Sequence, residues 1–179
     1  MPEEPPTEAD LAPLVSAIEA GEDGIALPPE LVEEPEAPAP APPRSLYAQI
    51  LGMTIPEKVK LALRGNRDAR MILMRDSNQL VRRFVLLNPR ISDTEVVAIT
   101  HNKSADDELL RVIGERREWM QNYQVRLGLA TNPKTPLAVA LKQVPTLGER
   151  DLRQIAKSKN VPHAVATQAR RLMAARASK

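Results

Sequence analysis

Residues able to do chemistry are few in this 179-residue chain. It contains no cysteine, which excludes disulfides, thiolate metal sites, cysteine nucleophiles and iron–sulfur clusters. His101 and His163 lie far apart, with no ligand spacing around either. Asp106, Asp107 and Glu108 form an acidic cluster, but in the first turn of a helix such side chains answer the helix dipole. There is no phosphate-binding glycine loop, no nucleophile paired with a base and no metal-ligand set. The expectation is a protein that is not an enzyme and that uses neither cofactor nor metal.

What remains is surface and charge. Lys58, Lys60, Arg64, Arg67, Arg70, Arg75, Arg82, Arg83 and Arg90 crowd one stretch, opposed there only by Glu57, Asp68 and Asp76. Brought onto one face, Lys58, Lys60, Arg64, Arg67, Arg70, Arg75, Arg83 and Arg90 would form a surface for a polyanion or an acidic partner. A second basic group closes the chain, with Arg150, Arg153, Lys157, Lys159, Arg170, Arg171 and Arg176. The net charge of +2 hides a division: residues 1–44 hold eleven acidic side chains against Arg44 alone, whereas residues 45–179 hold 24 basic and 12 acidic ones.

Residues 1–44 also carry eleven of the 17 prolines and no aromatic residue. Such a composition buries too little apolar surface to offset its ordering entropy, so a disordered acidic arm is expected. The stretch from Pro35 to Pro43 reads as a stiff extended spacer. Within the arm, Leu11, Leu14, Val15 and Ile18 fall at i, i+3, i+4 and i+7, one face of a short helix over residues 9–20. A second apolar piece, IALPPELV, follows. Both pieces read either as accidents in a tail or as docking motifs for a groove, on a partner or on the chain's own basic body.

From Ser45 the pattern is one of short helices separated by Asn, Pro, Gly, Ser and Asp. Thr54 with Glu57 and Ser92 with Glu95 predict capping boxes, and Ser104 with Asp107 predicts another cap. Thr135-Pro136 predicts a cap followed by proline in the first helical position. The core must come from Leu, Val, Ile, Ala and Met, because Tyr47, Phe84, Trp119 and Tyr123 are the only aromatic residues. That composition favours helices over a sandwich or barrel. No apolar run approaches membrane-spanning length and no basic-then-apolar leader is visible, so a cytoplasmic protein with no membrane contact is expected.

One phrase occurs twice. Residues 80–92 read LVRRFVLLNPRIS and residues 124–136 read QVRLGLATNPKTP, a register of 44. A unit that cannot bury its apolar face alone is repeated because its neighbour covers it. The copies 81–99 and 125–141 resemble the leucine-rich repeat variant, a compact relative of HEAT-like repeats, whose unit runs Val-Arg, helix, Asn-Pro, Thr-Pro, helix. A third copy, KNVPHAVATQARRLM, preserves only Asn160 and Pro162. The resemblance implies an all-α, right-handed solenoid of short helices over residues 45–179, presenting a curved, non-enzymatic surface. The cysteine-ligated iron–sulfur module of some members is excluded here. Related solenoids hold duplex DNA by its backbone, including base-repair glycosylases. The glycosylase version would need a catalytic acid near aromatics, and Trp119 with Glu115 or Glu118 fits poorly.

Two functions follow as expectations. The first is a protein-interaction scaffold, with Trp119, Met120 and Tyr123 as an anchoring contact unless they form the wedge joining two repeat units. The second is a nucleic-acid-binding repeat whose basic face the acidic arm screens. Arg82 and Arg126, at matched positions, read as braces between helices, and Asn88 and Asn132 as turn and cap residues. Oligomeric state is not legible.

Overall fold

The computed structural model describes residues 6–33 and 44–178. Eleven α-helices are formed among them: α1 (Glu8–Ala20), α2 (Arg44–Gly52), α3 (Ile55–Arg64), α4 (Arg67–Leu73), α5 (Gln79–Val85), α6 (Asp93–His101), α7 (Asp107–Glu115), α8 (Tyr123–Thr131), α9 (Leu137–Gln143), α10 (Glu149–Lys157) and α11 (His163–Ala177). Three short 3-10 turns, Pro29–Leu31, Trp119–Gln121 and Val144–Thr146, complete the regular structure. The fold is all-α, and no described helix is long and apolar enough to cross a membrane. The predicted spacer Pro35–Pro43 lies outside the described residues.

The chain divides into two compact units, Met1–Ile91 and Ser92–Lys179. The sequence had suggested a boundary between residues 44 and 45, but α1 belongs to the first unit. Leu11 and Ile18 are buried, and Leu14 and Val15 pack against the same core. Leu31, in the second apolar piece, is fully buried as well. Residues 8–33 are therefore not a disordered arm. Local composition argued for disorder, and a tertiary partner supplies the apolar surface that the segment lacks by itself.

Local signals explain how α1 starts and stops. Asp10 accepts the Thr7 backbone N–H at 2.9 Å, and the Asp10 N–H reaches the Thr7 hydroxyl at 3.4 Å, a reciprocal capping box. Gly21 ends the helix in the left-handed region at φ 78, as a glycine can without steric cost, and Gly24 turns the chain again at φ 66. In the rest of the first unit, α3 packs against α1, α4 and α5, and α2 against α4. Val59, Leu61, Leu73, Val81 and Phe84 fill the interior.

In the second unit α8 packs against α6 and α9, and α11 against α9 and α10. Val144, Leu147, Leu152, Ile155, Val165 and Ala169 form a core there. The Ser92–Glu95 capping box forms at α6. At α7 the cap is Asp106, which accepts from the Glu108 N–H at 3.0 Å, not Ser104. Thr135 does not cap α9 either: it is buried, its hydroxyl has no partner, and Pro136 stands at the cap position.

The repeated phrase has a common physical use. Asn88 is buried and its side-chain amide donates to the carbonyls of Ala62 (2.8 Å) and Gly65 (3.2 Å) at the end of α3. Asn132 is also buried and donates to Thr100 and Asn102 at the end of α6, both at 2.8 Å. Each side-chain oxygen accepts the N–H two residues on, from Arg90 and Lys134, at 2.9 Å in both cases. The asparagines are turn residues, as their place beside proline suggested, and also clamps on helix-end carbonyls, of which Gly65 takes Arg70 as well and Asn102 the Ala105 N–H. Replacing Asn132 by Ala removes the donor to the Thr100 carbonyl and one of the two to Asn102, and should cost about 1–3 kcal/mol in chemical denaturation. Asn160→Ala, at an exposed side chain, should cost less than about 0.5 kcal/mol.

Candidate functional site

The basic residues of the first unit converge on the segment that runs from α1 to the turn at Pro29–Leu31. Arg83 pairs with Glu8 in the first turn of α1. Arg64 donates through Nη2 to the carbonyls of Ile18 (3.1 Å) and Glu19 (3.2 Å), in the last turn of α1, where the helix dipole is negative. Lys60 pairs with Asp23 at 2.5 Å and donates to the Ile25 carbonyl. Asn66 donates its side-chain amide to Glu30 (2.8 Å) and Glu33 (2.6 Å), and its backbone N–H to Leu31 (2.8 Å). Arg90 reaches the Val32 carbonyl at 3.1 Å. Five side chains, spaced along α3, α5 and the loops after them, thus grip the segment from end to end.

The other expected members of this surface have different places. Lys58 pairs with Asp76 at 2.8 Å. Arg70 is only 2% exposed and donates to the Gly65 carbonyl at 3.0 Å, so it is an interior residue and offers nothing to a partner. Arg67 and Arg75 are exposed. Arg82 braces the loop after α4 through the carbonyls of Asp76 (2.5 Å) and Ser77 (3.2 Å). Its sequence counterpart Arg126 does not do the same: its guanidinium lies 5.4 Å from the centroid of the Tyr123 ring. Asn66 and Asp23 were missed by sequence reasoning. The opposite charges of the two parts of the chain were the available signal, but not which groups would meet.

Asp23 is the most enclosed acid of this strip, with its side chain 2% exposed. The hydrogen bond from Lys60 holds its carboxyl below the ordinary value of 3.8, helped by the Ile25 N–H. Glu57, which accepts both the N–H and the hydroxyl of Thr54 at 2.7 Å, is lowered too, first by that hydroxyl.

In the second unit, Trp119 is 5% exposed and lies under the Arg116 guanidinium at 4.8 Å, in a turn packed against α7 and α8. It is a core residue, not an anchor for a partner. Met120 and Tyr123 are half-buried. Tyr123 donates its phenol to Asp151 and accepts the Gly148 N–H at 3.1 Å, and the Asp151 bond pushes the phenol above its ordinary range. The large apolar side chains left exposed are others: Tyr47 and Leu51 on α2, Met71 on α4, Leu87 and Leu137. Glu115 is bonded to Arg111 at 2.7 Å and Glu118 to Arg116 at 3.5 Å, so neither is a lone acid beside the indole.

The closing basic group is partly spent on structure. Arg170 caps α10 through the Ala156 carbonyl (3.0 Å), and Arg176 donates to Leu147 (3.1 Å) and Pro145 (3.0 Å). A groove of about 310 Å³ in this unit is rimmed by His101, Lys103, Asp151, Gln154 and Ser158. Two of its titratable groups are already engaged, since His101 Nδ1 faces the Val97 carbonyl at 2.9 Å and Asp151 holds Tyr123, and Lys103 is exposed. Among the described residues no cluster of His, Asp and Glu could hold a metal. No family model, curated protein or solved structure matches the chain, so its function has to be read from its own chemistry.

Because Asp23 is lowered on folding, its contribution to stability is complete above pH 3.8 and is lost as pH falls through the lowered value. Thermal melts of Asp23→Asn against the native chain should therefore differ most at neutral pH, with the gap closing only as acidification passes through the lowered value. A gap that stays constant across this range would mean that the carboxylate charge does not hold the segment.

Proposed function

We propose that the chain is a non-enzymatic scaffold that binds other proteins through the surface of short-helix repeat units of the leucine-rich repeat variant kind. The observation that carries this reading is the company kept by the cations of the first unit. Lys60, Arg64, Arg83 and Arg90 are bonded to carbonyl and carboxylate groups of a peptide segment. A surface that grips duplex backbone instead needs a row of cations facing solvent, free to replace condensed counterions. The repeat-array part draws support from Asn88 and Asn132, 44 positions apart in the sequence, which clamp preceding helix ends in the same way. That is the economy of an array in which each unit packs on its neighbour.

One observation favours a second reading, a nucleic-acid contact on the second unit. Arg150, Lys157, Lys159 and Arg171 are all exposed there. Fluorescence anisotropy of a short labelled duplex DNA and of an RNA of matched length, titrated with the full chain, separates the two. The scaffold reading expects dissociation constants of about 10 µM or weaker near physiological salt. Submicromolar binding that falls steeply with added salt would assign the function to nucleic acid.

A further inference from the structure

We propose that the strip formed by Lys60, Arg64, Asn66, Arg83 and Arg90 is an exchangeable receptor for an acidic amphipathic segment of another protein, and that residues 8–33 are its resident occupant. The proposal rests on the scaffold reading and names the partner's chemistry.

Most of the grip reads main chain. The carbonyls of Ile18, Glu19, Ile25, Glu30, Val32 and Glu33 are the acceptors, and any polypeptide following this path supplies them. Side-chain demands are limited to two carboxylates and a set of aliphatic side chains, in which Leu14, Val15 and Leu27 pack beside the buried anchors. The carboxylates are Glu8 at Arg83 and Asp23 at Lys60. The anchors are Leu11 and Ile18, seven apart on one helical face, and Leu31 in the following turn. Ala9, Ala12, Ser16, Ala20 and Ala26 are exposed, and nothing in the strip reads them. The partner is therefore a short helix with an acid in its first turn and aliphatic residues at i and i+7. A second acid and an extended stretch ending in one more aliphatic follow it.

The occupant is built to leave. A helix of 13 residues is marginal by itself, and its Pro13 lies inside it. The Glu8–Arg83 pair at its start is half exposed, so salt and solvent weaken it. Residues 34–43, with five prolines, tether the segment to the body. A short tether raises the effective concentration to about the millimolar range. A free partner of equal intrinsic affinity at micromolar concentration is then outcompeted roughly a thousandfold. Displacement requires a tighter segment or one delivered by a second contact, which makes the receptor selective.

The test uses the full chain with a protease site inserted between Glu36 and Ala37, purified folded and then nicked. Three fluorescein-labelled peptides are titrated into it and followed by anisotropy. The first is residues 6–33. The second keeps Glu8, Leu11, Leu14, Val15, Ile18, Asp23, Leu27 and Leu31 but replaces the five exposed residues, four alanines and a serine, with glutamine. The third is the second with Glu8→Gln, Asp23→Asn, Leu11→Ala and Ile18→Ala. The first two should exchange into the nicked protein with affinities within about threefold, the third at least tenfold more weakly, and the uncut chain should bind the first about 100-fold more weakly than the nicked one.

Three results overturn the proposal. Failure of the first peptide to exchange, or loss of helical circular dichroism on nicking, makes residues 8–33 a permanent part of the core. Binding of the first peptide but not the second makes the strip a latch for its own sequence alone. A dimer of the uncut chain that takes up peptide only on dissociating makes a second copy the occupant. Failure of the scaffold reading itself would appear separately, as tight duplex binding, which these peptides do not report.

Discussion

A short helix has a high proportion of ends, and each C-terminal end leaves carbonyls without intrahelical donors. In this chain that constraint governs much of the polar structure. Asn88 and Asn132 serve the ends of α3 and α6, Arg64 the end of α1, and Arg170 the end of α10. Arg82, Arg90 and Arg176 donate to carbonyls in loops and turns. A substantial part of the positive charge that the sequence concentrates after residue 45 is thus a supply of donors for main-chain oxygen. Arginine suits the task because its guanidinium stays charged and presents several N–H groups in fixed directions.

The same chemistry joins fold to function. Donors of the same kind also hold a separate stretch of chain: Lys60, Arg64, Asn66 and Arg90 donate to main-chain carbonyls between residues 18 and 33. Aliphatic anchors supply the apolar part of the docking: Leu11, Ile18 and Leu31 are buried, and truncating such a residue to alanine typically costs about 2–5 kcal/mol. The charged pairs set path and register, and contribute less individually because Arg83 and Glu8 remain partly solvated. A surface that reads carbonyls and a few acids suits peptide segments better than phosphates.

Local features were the legible ones. Capping boxes at Thr7, Thr54 and Ser92 form where a hydroxyl or its N–H meets an acid three residues on, and of these the last two were read in advance from that spacing. The turn role of the two Asn-Pro phrases was legible too, because Asn88 and Asn132 meet the same requirement. Features that depend on distant partners were not. Composition argued for a disordered arm, although the Leu11–Ile18 stripe left docking on the chain's own basic body open, which is what forms; that Lys60 and Arg64 would be the groups to hold it was not written within residues 1–44. Arg70 looked like its exposed neighbours, although the Gly65 carbonyl draws it inside. Trp119 read either as an anchor or as an interior wedge because aromatics are scarce, and Arg116 with the turn packed on α7 and α8 encloses it. Ser104 and Asp106 both had cap chemistry, and only the backbone path decided between them.

Side-chain donors to main-chain carbonyls hold residues 8–33 as a separable layer. Native-state hydrogen exchange of the full chain, compared with Arg64→Ala, tests it most directly, since Arg64 is exposed and its loss leaves no core cavity. The account expects α1 amides to be protected but to open at lower free energy than those of α3. In Arg64→Ala, α1 should exchange at least tenfold faster while α3 and α8 change by less than about twofold. Exchange of α1 in step with α3 in both proteins would contradict it, because the segment would then open only when the first unit unfolds.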